Sequence, residues 1–270
     1  MAKAIKHVTA GMLHIEVIGM MPERQIYPRQ RRGRLRPTPQ PQQFYNDKCS
    51  WRELELRLAA NFGAKDMVLT FTFDDFNLPD NKPDARKFFY RFMKRLTRTR
   101  RRRGQEVKYI CCVEGYHGKR HDALFGEDGG LEDRRFHIHA VINRVGPGDF
   151  DEIVSLWDGG GYIRAERLDV HYYRELAKYL TKEAREVGRG VKGEKVWSAS
   201  TNLVKPTIEY IYIPSDSVTL TPPFGAVDYT QFSEKNPYGF ADCIGARYLI
   251  FPELPKQTYS YNEGRKKNSH

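Results

Sequence analysis

RFHIHAVIN, residues 135–143, is a largely apolar, β-branched run that predicts a buried strand and sets the fold class. Outward from it, similar runs predict further strands, and apolar residues recurring every three to four positions predict helices. The order of strand, helix, strand, strand, helix, strand and helix is typical of an α+β fold, a central antiparallel sheet with helices packed on one face. The predicted strands are residues 67–73, 107–115, 135–143 and 162–168, and the predicted helices begin at residues 50, 85, 149 and 170.

The composition limits the class of protein. Among 270 residues, 45 Lys and Arg face 34 Asp and Glu, and the net charge of +11 favours a polyanionic partner, most often nucleic acid. A hydrophobic content of 40% is enough for a core and excludes a fully disordered chain. No run approaches the roughly 20 apolar residues of a membrane span, and the N-terminus lacks a signal-peptide core. We therefore expect a cytoplasmic protein with no membrane partner.

On composition, the chain divides into three predicted regions. Residues 1–50 form a basic N-terminal arm, residues 51–215 a folded domain, and residues 216–270 a C-terminal extension with a disordered tail. Between Pro22 and Pro41 lie six arginines and five prolines with little apolar periodicity, which favours an extended strip. Two interpretations of this strip stay open, a solvated linker and an arm that binds the DNA backbone.

A dense basic run lies on the helix predicted from residue 85. Between residues 86 and 103, ten of eighteen side chains are Lys or Arg and none is acidic, while the apolar residues share the opposite helix face. A charge run is most often a solvated surface, but charge of one sign at this density repels itself unless an anion lies nearby. We therefore expect phosphate contacts from Arg91, Lys94, Arg95, Arg98, Arg101 and Arg102.

His137 and His139 lie two residues apart on a predicted strand, so both imidazoles project from one face while the residue between them points into the core. Glu114 ends the neighbouring strand and offers a carboxylate beside them. Two imidazoles and a carboxylate are a donor set for a catalytic metal with open coordination positions. The alternative is a pair of ordinary histidines in a sheet. For His117 and His121, a second metal cluster and plain loop histidines are the two interpretations.

Tyr179 and Lys182 are three residues apart on the last predicted helix, so the phenol and the ammonium group share a helix face. A nearby cation favours the phenolate, which is the nucleophilic form of tyrosine, and also stabilises charge on a phosphate under attack. The alternative is a packed helix tyrosine beside a solvated lysine.

The order of these features makes them more specific together than apart. A Thr-rich apolar strand comes first, a His, apolar, His run second, and a Tyr and Lys on a helix third. In this order the sequence resembles the HUH endonucleases, and more narrowly the rolling-circle replication initiators of small single-stranded DNA phages and plasmids. The matching residues are 69–75, 136–142 and 179–182, with further matches at 60–62 and at Trp197, Ser200, Asn202, Leu203 and Pro206. The resemblance covers residues 61–206.

This resemblance implies a role for each site residue. His137 and His139 would ligate a divalent ion, Mn²⁺ or Mg²⁺, with Glu114 as the third ligand, and this donor set suits Mn²⁺ somewhat better. Tyr179 would be the nucleophile and Lys182 its electrostatic helper. Initiators with two nucleophilic tyrosines place them about one turn apart, whereas the residue four before Tyr179 is a glutamate, so a single-tyrosine enzyme is expected.

The resemblance also implies a function. Residues 51–215 would be a DNA nicking and joining domain that cuts a single-stranded replication origin in a bacterial host, with a host helicase and polymerase as partners. Trp197 is a candidate for stacking on a base. No GxxxxGK[ST] run is present, so no nucleotide cofactor is expected. A plasmid relaxase or single-strand transposase would share the chemistry, and a non-catalytic basic DNA-binding protein would explain the charge but not the three motifs.

Overall fold

The computed structural model describes residues 2–21, 40–116, 134–183, 195–213, 219–234 and 243–252. Its strands are β1 (Ala2–Ala10), β2 (Leu13–Met21), β3 (Met67–Phe73), β4 (Tyr109–Tyr116), β5 (Arg134–Ile142), β6 (Gly160–Arg167), β7 (Ser198–Ala199), β8 (Thr207–Tyr212), β9 (Ala226–Glu234) and β10 (Cys243–Ile250). Its helices are α1 (Gln40–Asn61), α2 (Lys82–Arg101), α3 (Asp149–Leu156) and α4 (Tyr173–Leu180), and a 3₁₀ turn at Val170–Tyr172 leads into α4.

The central sheet is fully antiparallel, with the strand order β6-β3-β5-β4-β7. This arrangement, with helices packed on the sheet, confirms the predicted α+β fold. The prediction that the helices cover one face was wrong. Helices α2 and α3 pack on the face that carries Phe71 and Ile138, while α1 and α4 pack on the face that carries Cys112 and Val141. Both faces are apolar because side chains of both parities along β3, β4 and β5 contribute to a core.

Local signals explain the bounds of α2, which supports the core face of the sheet. The Asn81 side chain accepts a hydrogen bond from the Asp84 backbone N–H and caps the first turn. Phe89 and Phe92, on the buried face of the helix, pack against Phe71 of β3. Basic residues occupy the last turn, where they complement the helix dipole.

A second antiparallel sheet has the order β8-β1-β2-β10-β9 and joins the two ends of the chain. It packs on α1 through Ala10, Leu13 and Leu249. The turn between β1 and β2 requires glycine at Gly11, since its φ is +58° and a Cβ there would lie 2.3 Å from the Ala59 carbonyl oxygen. The strand-like runs predicted around residues 208–214 and 246–252 correspond to β8 and β10, whereas β1, β2 and β9 were not predicted.

Two further differences concern the N-terminal part. The helix predicted from Ser50 begins earlier, at Gln40, and the added turns are held to the second sheet by ion pairs of Lys48 and Arg52 with Glu234. Residues 2–21, within the predicted arm, form the β1–β2 hairpin. The arginine-rich strip at 22–39, His117, His121 and the predicted disordered tail from 253 lie outside the described residues. The division into an arm, a domain and an extension stays a prediction.

Among the helices of the described residues, none combines the length and the apolar character needed to cross a membrane.

Candidate active site

Three predicted ligands, Glu114, His137 and His139, lie together on one face of the central sheet. One potential ligand atom from each falls within 4.8 Å of the others. The Nε2 atoms of His137 and His139 are 3.4 Å and 3.5 Å from the Glu114 Oε2 atom. All three side chains are at least partly buried, and Glu114 is only 1% exposed. The strand register brings them together, because Glu114 of β4 lies directly opposite His137 of β5.

A kink at the end of β4 aims the Glu114 carboxylate. The next residue, Gly115, has a φ of +125°, and a Cβ at this position would lie 2.6 Å from the Phe136 Cα atom, so glycine is required. The Gly115 backbone N–H donates a 2.7 Å hydrogen bond to the Glu183 carboxylate, which also pairs with Lys82 at the start of α2. Glu183 therefore ties the ligand strand to the segment that follows the nucleophile helix.

The imidazoles are oriented by contacts on their far side. The Nδ1 atom of His137 lies 3.1 Å from the Arg135 carbonyl oxygen, and the Nδ1 atom of His139 lies 3.0 Å from the Thr70 hydroxyl oxygen. A carbonyl only accepts hydrogen bonds, so the Nδ1 atom of His137 carries the proton. In the neutral ring, Nε2 then directs its lone pair toward the Glu114 carboxylate, and two acceptors face each other. A cation between them satisfies both.

The electrostatics favour ligands in their deprotonated forms. Burial acts to raise the pKa of Glu114, but hydrogen bonds from the two imidazoles and the positive charge of Lys182 outweigh it and hold this pKa well below its ordinary value. Burial lowers the pKa of His139 despite the nearby carboxylate. Near neutral pH the site therefore presents a carboxylate and a neutral buried imidazole, which are the forms that bind metals.

The geometry and chemistry of these donors fit a divalent metal ion. Ligand atoms about 2.1 Å from one ion lie about 3.0–3.4 Å from each other, close to the two measured separations from the Glu114 oxygen. Three protein donors leave open positions for substrate and water. Nitrogen and oxygen donors in this ratio suit Mn²⁺ or Mg²⁺, and the arrangement alone does not select between them.

Tyr179 and Lys182 lie beside this cluster. Helix α4 packs on the same sheet face through Tyr173, Ala177 and Leu180, and it places the Tyr179 hydroxyl 3.4 Å from the His139 Nε2 atom. The Lys182 Nζ atom is 3.6 Å from the centre of the Tyr179 ring and 3.4 Å from the Glu114 Oε2 atom. A phenol, an ammonium group and three potential metal ligands therefore meet at one point, and the phenol is 45% exposed to an incoming substrate.

The six predicted phosphate-binding residues of α2 lie apart from this cluster. Five of them are exposed, but α2 packs on the opposite face of the sheet. Arg95 is partly buried and binds Asp158 with its guanidinium. Two neighbours in the same basic run also have acidic partners, since Arg100 is fully buried against Asp149 and Glu152, and Arg103 pairs with Glu152. Part of the positive charge is therefore structural.

Sequence reasoning missed two residues of the site, Thr70 and Glu183. Thr70 lies within the first motif, and Glu183 directly follows Lys182, but their partners are visible only once the strands are paired. Ser200 and Asn202, noted as motif matches, hold the edge of the sheet, because Ser200 exchanges hydrogen bonds with Tyr109 and the Asn202 amide donates to the Val107 carbonyl.

Residues 66–186 match a family model of replication-associated proteins, the ORF2 family. The match covers just under half of the chain, and over this range the chain is similar to that family. It contains β3, the Glu114, His137 and His139 cluster, Tyr179 and Lys182. Comparison with curated proteins and with solved structures gives no significant match.

Proposed function

We propose that this protein is a replication initiator endonuclease of the HUH type, which nicks single-stranded origin DNA through Tyr179 and rejoins the ends in rolling-circle replication. The observation that carries the proposal is the placement of the Tyr179 hydroxyl 3.4 Å from His139 Nε2, beside three residues with metal-ligand chemistry. The similarity of residues 66–186 to a replication-associated family supports it independently of this geometry.

Glu114, His137 and His139 would hold the divalent ion, Mn²⁺ or Mg²⁺, which supplies Lewis-acid stabilisation of the scissile phosphate when bound. The Tyr179 oxygen attacks phosphorus, and the bond from phosphorus to the 3′ oxygen breaks. The phenolic proton passes to solvent and the departing 3′ oxygen takes up a proton. The products are a 5′-phosphotyrosine and a free 3′-hydroxyl that can prime synthesis. Because the phosphodiester energy stays in the tyrosine linkage, attack by a 3′-hydroxyl reverses the step and joins ends.

Lys182 contributes charge at two places. Its ammonium group lies over the Tyr179 ring, where it stabilises the phenolate, and near the Glu114 carboxylate, where it supports the charged form. The exposed part of the basic run on α2, at Arg91, Lys94, Arg98, Arg101 and Arg102, would hold DNA outside the reaction centre. In this proposal the reaction takes place in the cytoplasm of a bacterial host, whose helicase and polymerase extend the 3′ end.

A covalent-adduct assay tests the nucleophile. The protein is incubated with Mn²⁺ and labelled single-stranded oligonucleotides that tile its replicon's origin, and the products are separated on a denaturing gel. We expect an adduct that disappears with EDTA and with Tyr179→Phe. Tyr172→Phe is the matched control, because Tyr172 lies on the adjoining 3₁₀ turn and is 58% exposed. An adduct of undiminished yield from Tyr179→Phe would show that another group attacks.

Two alternatives make different predictions in the same assay. A relaxase or single-strand transposase would form the same adduct but on transfer-origin or transposon-end sequences. A non-catalytic basic DNA-binding protein, which the net charge of +11 favours, would bind the oligonucleotides and cleave none of them with or without metal.

A further inference from the structure

A groove of about 630 Å³ lies at the β7 edge of the central sheet, outside the cluster of Glu114, His137 and His139. Helices α1 and α2 form two of its sides, and residues 195–203, which include β7, form the third. Three cations and two aromatic rings dominate the described lining, and no acidic side chain is part of it. These residues are Arg57, Arg86, Lys195, Tyr90 and Trp197.

The groove is connected to the active site along α2. Lys82, Arg86 and Tyr90 are spaced four residues apart, so they form one stripe on this helix with a rise of about 6 Å between neighbours. Lys82 contacts Glu183, which holds the backbone beside Glu114, whereas Arg86 and Tyr90 line the groove. The stripe therefore leads from the active site into the groove within two helical steps.

Strand pairing gives a second measure of the same proximity. Ser198 of β7 lies opposite Cys111 of β4, and Glu114 lies three residues further along that strand. At about 3.4 Å per residue, the groove begins about 10 Å from the Glu114 position, measured along β4. A DNA strand whose scissile phosphate lies at Tyr179 reaches this distance within a few nucleotides.

The cations of the groove are less neutralised than those at the other end of α2. Arg57 has an exposed contact with Glu53 at 3.5 Å, and its Nε atom has no hydrogen-bond partner among the described residues. Within that part of the chain, neither Arg86 nor Lys195 pairs with a carboxylate, and the Arg86 guanidinium donates only to the Lys195 carbonyl at 3.3 Å. These groups keep most of their capacity for an external anion.

We propose that this groove binds the single-stranded DNA that flanks the scissile phosphate, with a phosphodiester against Arg86 and Lys195 and a base against the half-buried Trp197 ring. The inference rests on the proposed nicking function and extends it to the path of the substrate. Cations beside aromatic rings are the combination that binds unpaired strands, because the charge attracts the backbone and the rings stack on exposed bases. Single-stranded DNA provides both partners, whereas an acidic peptide provides only the charge.

A binding measurement with matched charge changes tests the groove. The dissociation constant of a fluorescent thirty-nucleotide oligo-dT is measured by anisotropy in EDTA at several salt concentrations. For Arg86→Gln/Lys195→Gln we expect about 10-fold weaker binding and a salt dependence reduced by about 1.4 in log–log slope, the value for two lost phosphate contacts. Lys65→Gln/Lys87→Gln removes the same charge from exposed positions outside the groove and should change binding less than 2-fold. Equal losses in both double variants would overturn the proposal.

Photocrosslinking locates the DNA without relying on a variant's folding. Oligonucleotides with single 5-iodouracil substitutions should crosslink the wild-type protein at Trp197 or Tyr90, and crosslinks elsewhere alone would contradict the groove assignment. Polyglutamate of equal charge should compete at least 10-fold more weakly than oligo-dT, and equal competition would indicate a general anion site. Adduct formation is scored separately at saturating DNA. Loss of Tyr179 chemistry with intact groove binding rejects the proposed function alone, and the reverse result rejects the groove alone.

Discussion

Two buried glutamates, Glu55 on α1 and Glu114 on β4, occupy opposite kinds of environment. Each is about 1% exposed. Glu55 contacts two arginines, Arg247 of β10 at 2.7 Å and Arg174 of α4 at 3.7 Å. Glu114 contacts two imidazoles and a lysine. Arginine neither ligates a metal nor loses its proton in proteins, so the first group can only hold elements together, whereas the second can bind an ion.

The pKa shifts of the two carboxyl groups differ in the same sense. Burial raises the pKa of Glu55 even though two arginines oppose it. At Glu114 burial acts in the same direction, but the imidazole hydrogen bonds and Lys182 reverse the shift and lower the pKa. Burial alone therefore does not mark a functional carboxylate. What distinguishes Glu114 is that its partners are ligand-forming and that a nucleophile lies next to them.

The largest effect should follow from Glu114→Gln. An amide oxygen is a weaker ligand than a carboxylate, so we expect Mn²⁺ affinity by calorimetry to fall by about 1,000-fold, more than the 10- to 100-fold cost of losing an outer-shell contact. Adduct formation should be lost with it. Glu55→Gln is the internal control and should keep wild-type Mn²⁺ affinity at temperatures where it is folded. Unchanged affinity in Glu114→Gln would remove this residue from the ligand set.

The second effect concerns stability and reverses the roles of the two residues. Glu55→Gln leaves Arg174 and Arg247 without their counter-charge in a largely buried place, so the free energy of unfolding should fall by about 3 kcal/mol. Urea denaturation measures it. Glu53→Gln, two residues earlier on the exposed side of α1, should cost no more than about 0.5 kcal/mol. If both variants lose equally little, Glu55 does not hold α1 to its neighbours.

A smaller change should follow from Thr70→Val. The substitution keeps the shape of the side chain and removes the contact of its hydroxyl with the His139 Nδ1 atom at 3.0 Å. Because such a contact fixes the orientation of a ligating imidazole, we expect Mn²⁺ affinity to fall about 10-fold. Thr72→Val is the control, since the Thr72 hydroxyl donates instead to the Tyr162 carbonyl. An equal change in both variants would mean that β3 is disturbed generally and that Thr70 has no special role.

The sequence was sufficient for the central sheet and insufficient for the second one. Strands buried on both faces read as continuous apolar runs, and β3 was predicted residue for residue at Met67–Phe73. Strands of the second sheet carry mixed polar and apolar residues, as in β9 (Ala226–Glu234), and give a weaker signal. Their pairing also joins distant parts of the chain, since the Tyr248 hydroxyl bonds Glu16 across 232 positions.

The candidate site divides in the same way. Same-face spacing placed His137 with His139 and Tyr179 with Lys182, because both pairs depend on local geometry alone. The approach of Glu114 to His137 depends on the β4–β5 register across a long connection, which periodicity does not fix. The support from Thr70 and Glu183 comes from separate elements, so it required the three-dimensional arrangement.

The smallest effect concerns an exposed carboxylate–imidazole pair, His171 with Asp228, which has the chemistry of the Glu114 contacts without their burial. The Asp228 hydrogen bond raises the pKa of His171 above its ordinary value of 6.5. The pair therefore stabilises the fold fully below pH 6.5, and this contribution is lost as the pH rises through the raised pKa. Since both side chains are largely exposed, His171→Gln should lower the free energy of unfolding at pH 5.5 by about 0.5 kcal/mol or less, and at pH 9 by nothing measurable. A cost that is equal at both pH values would assign the effect to packing against Phe251, and the contrast with Glu114 would then rest on burial alone.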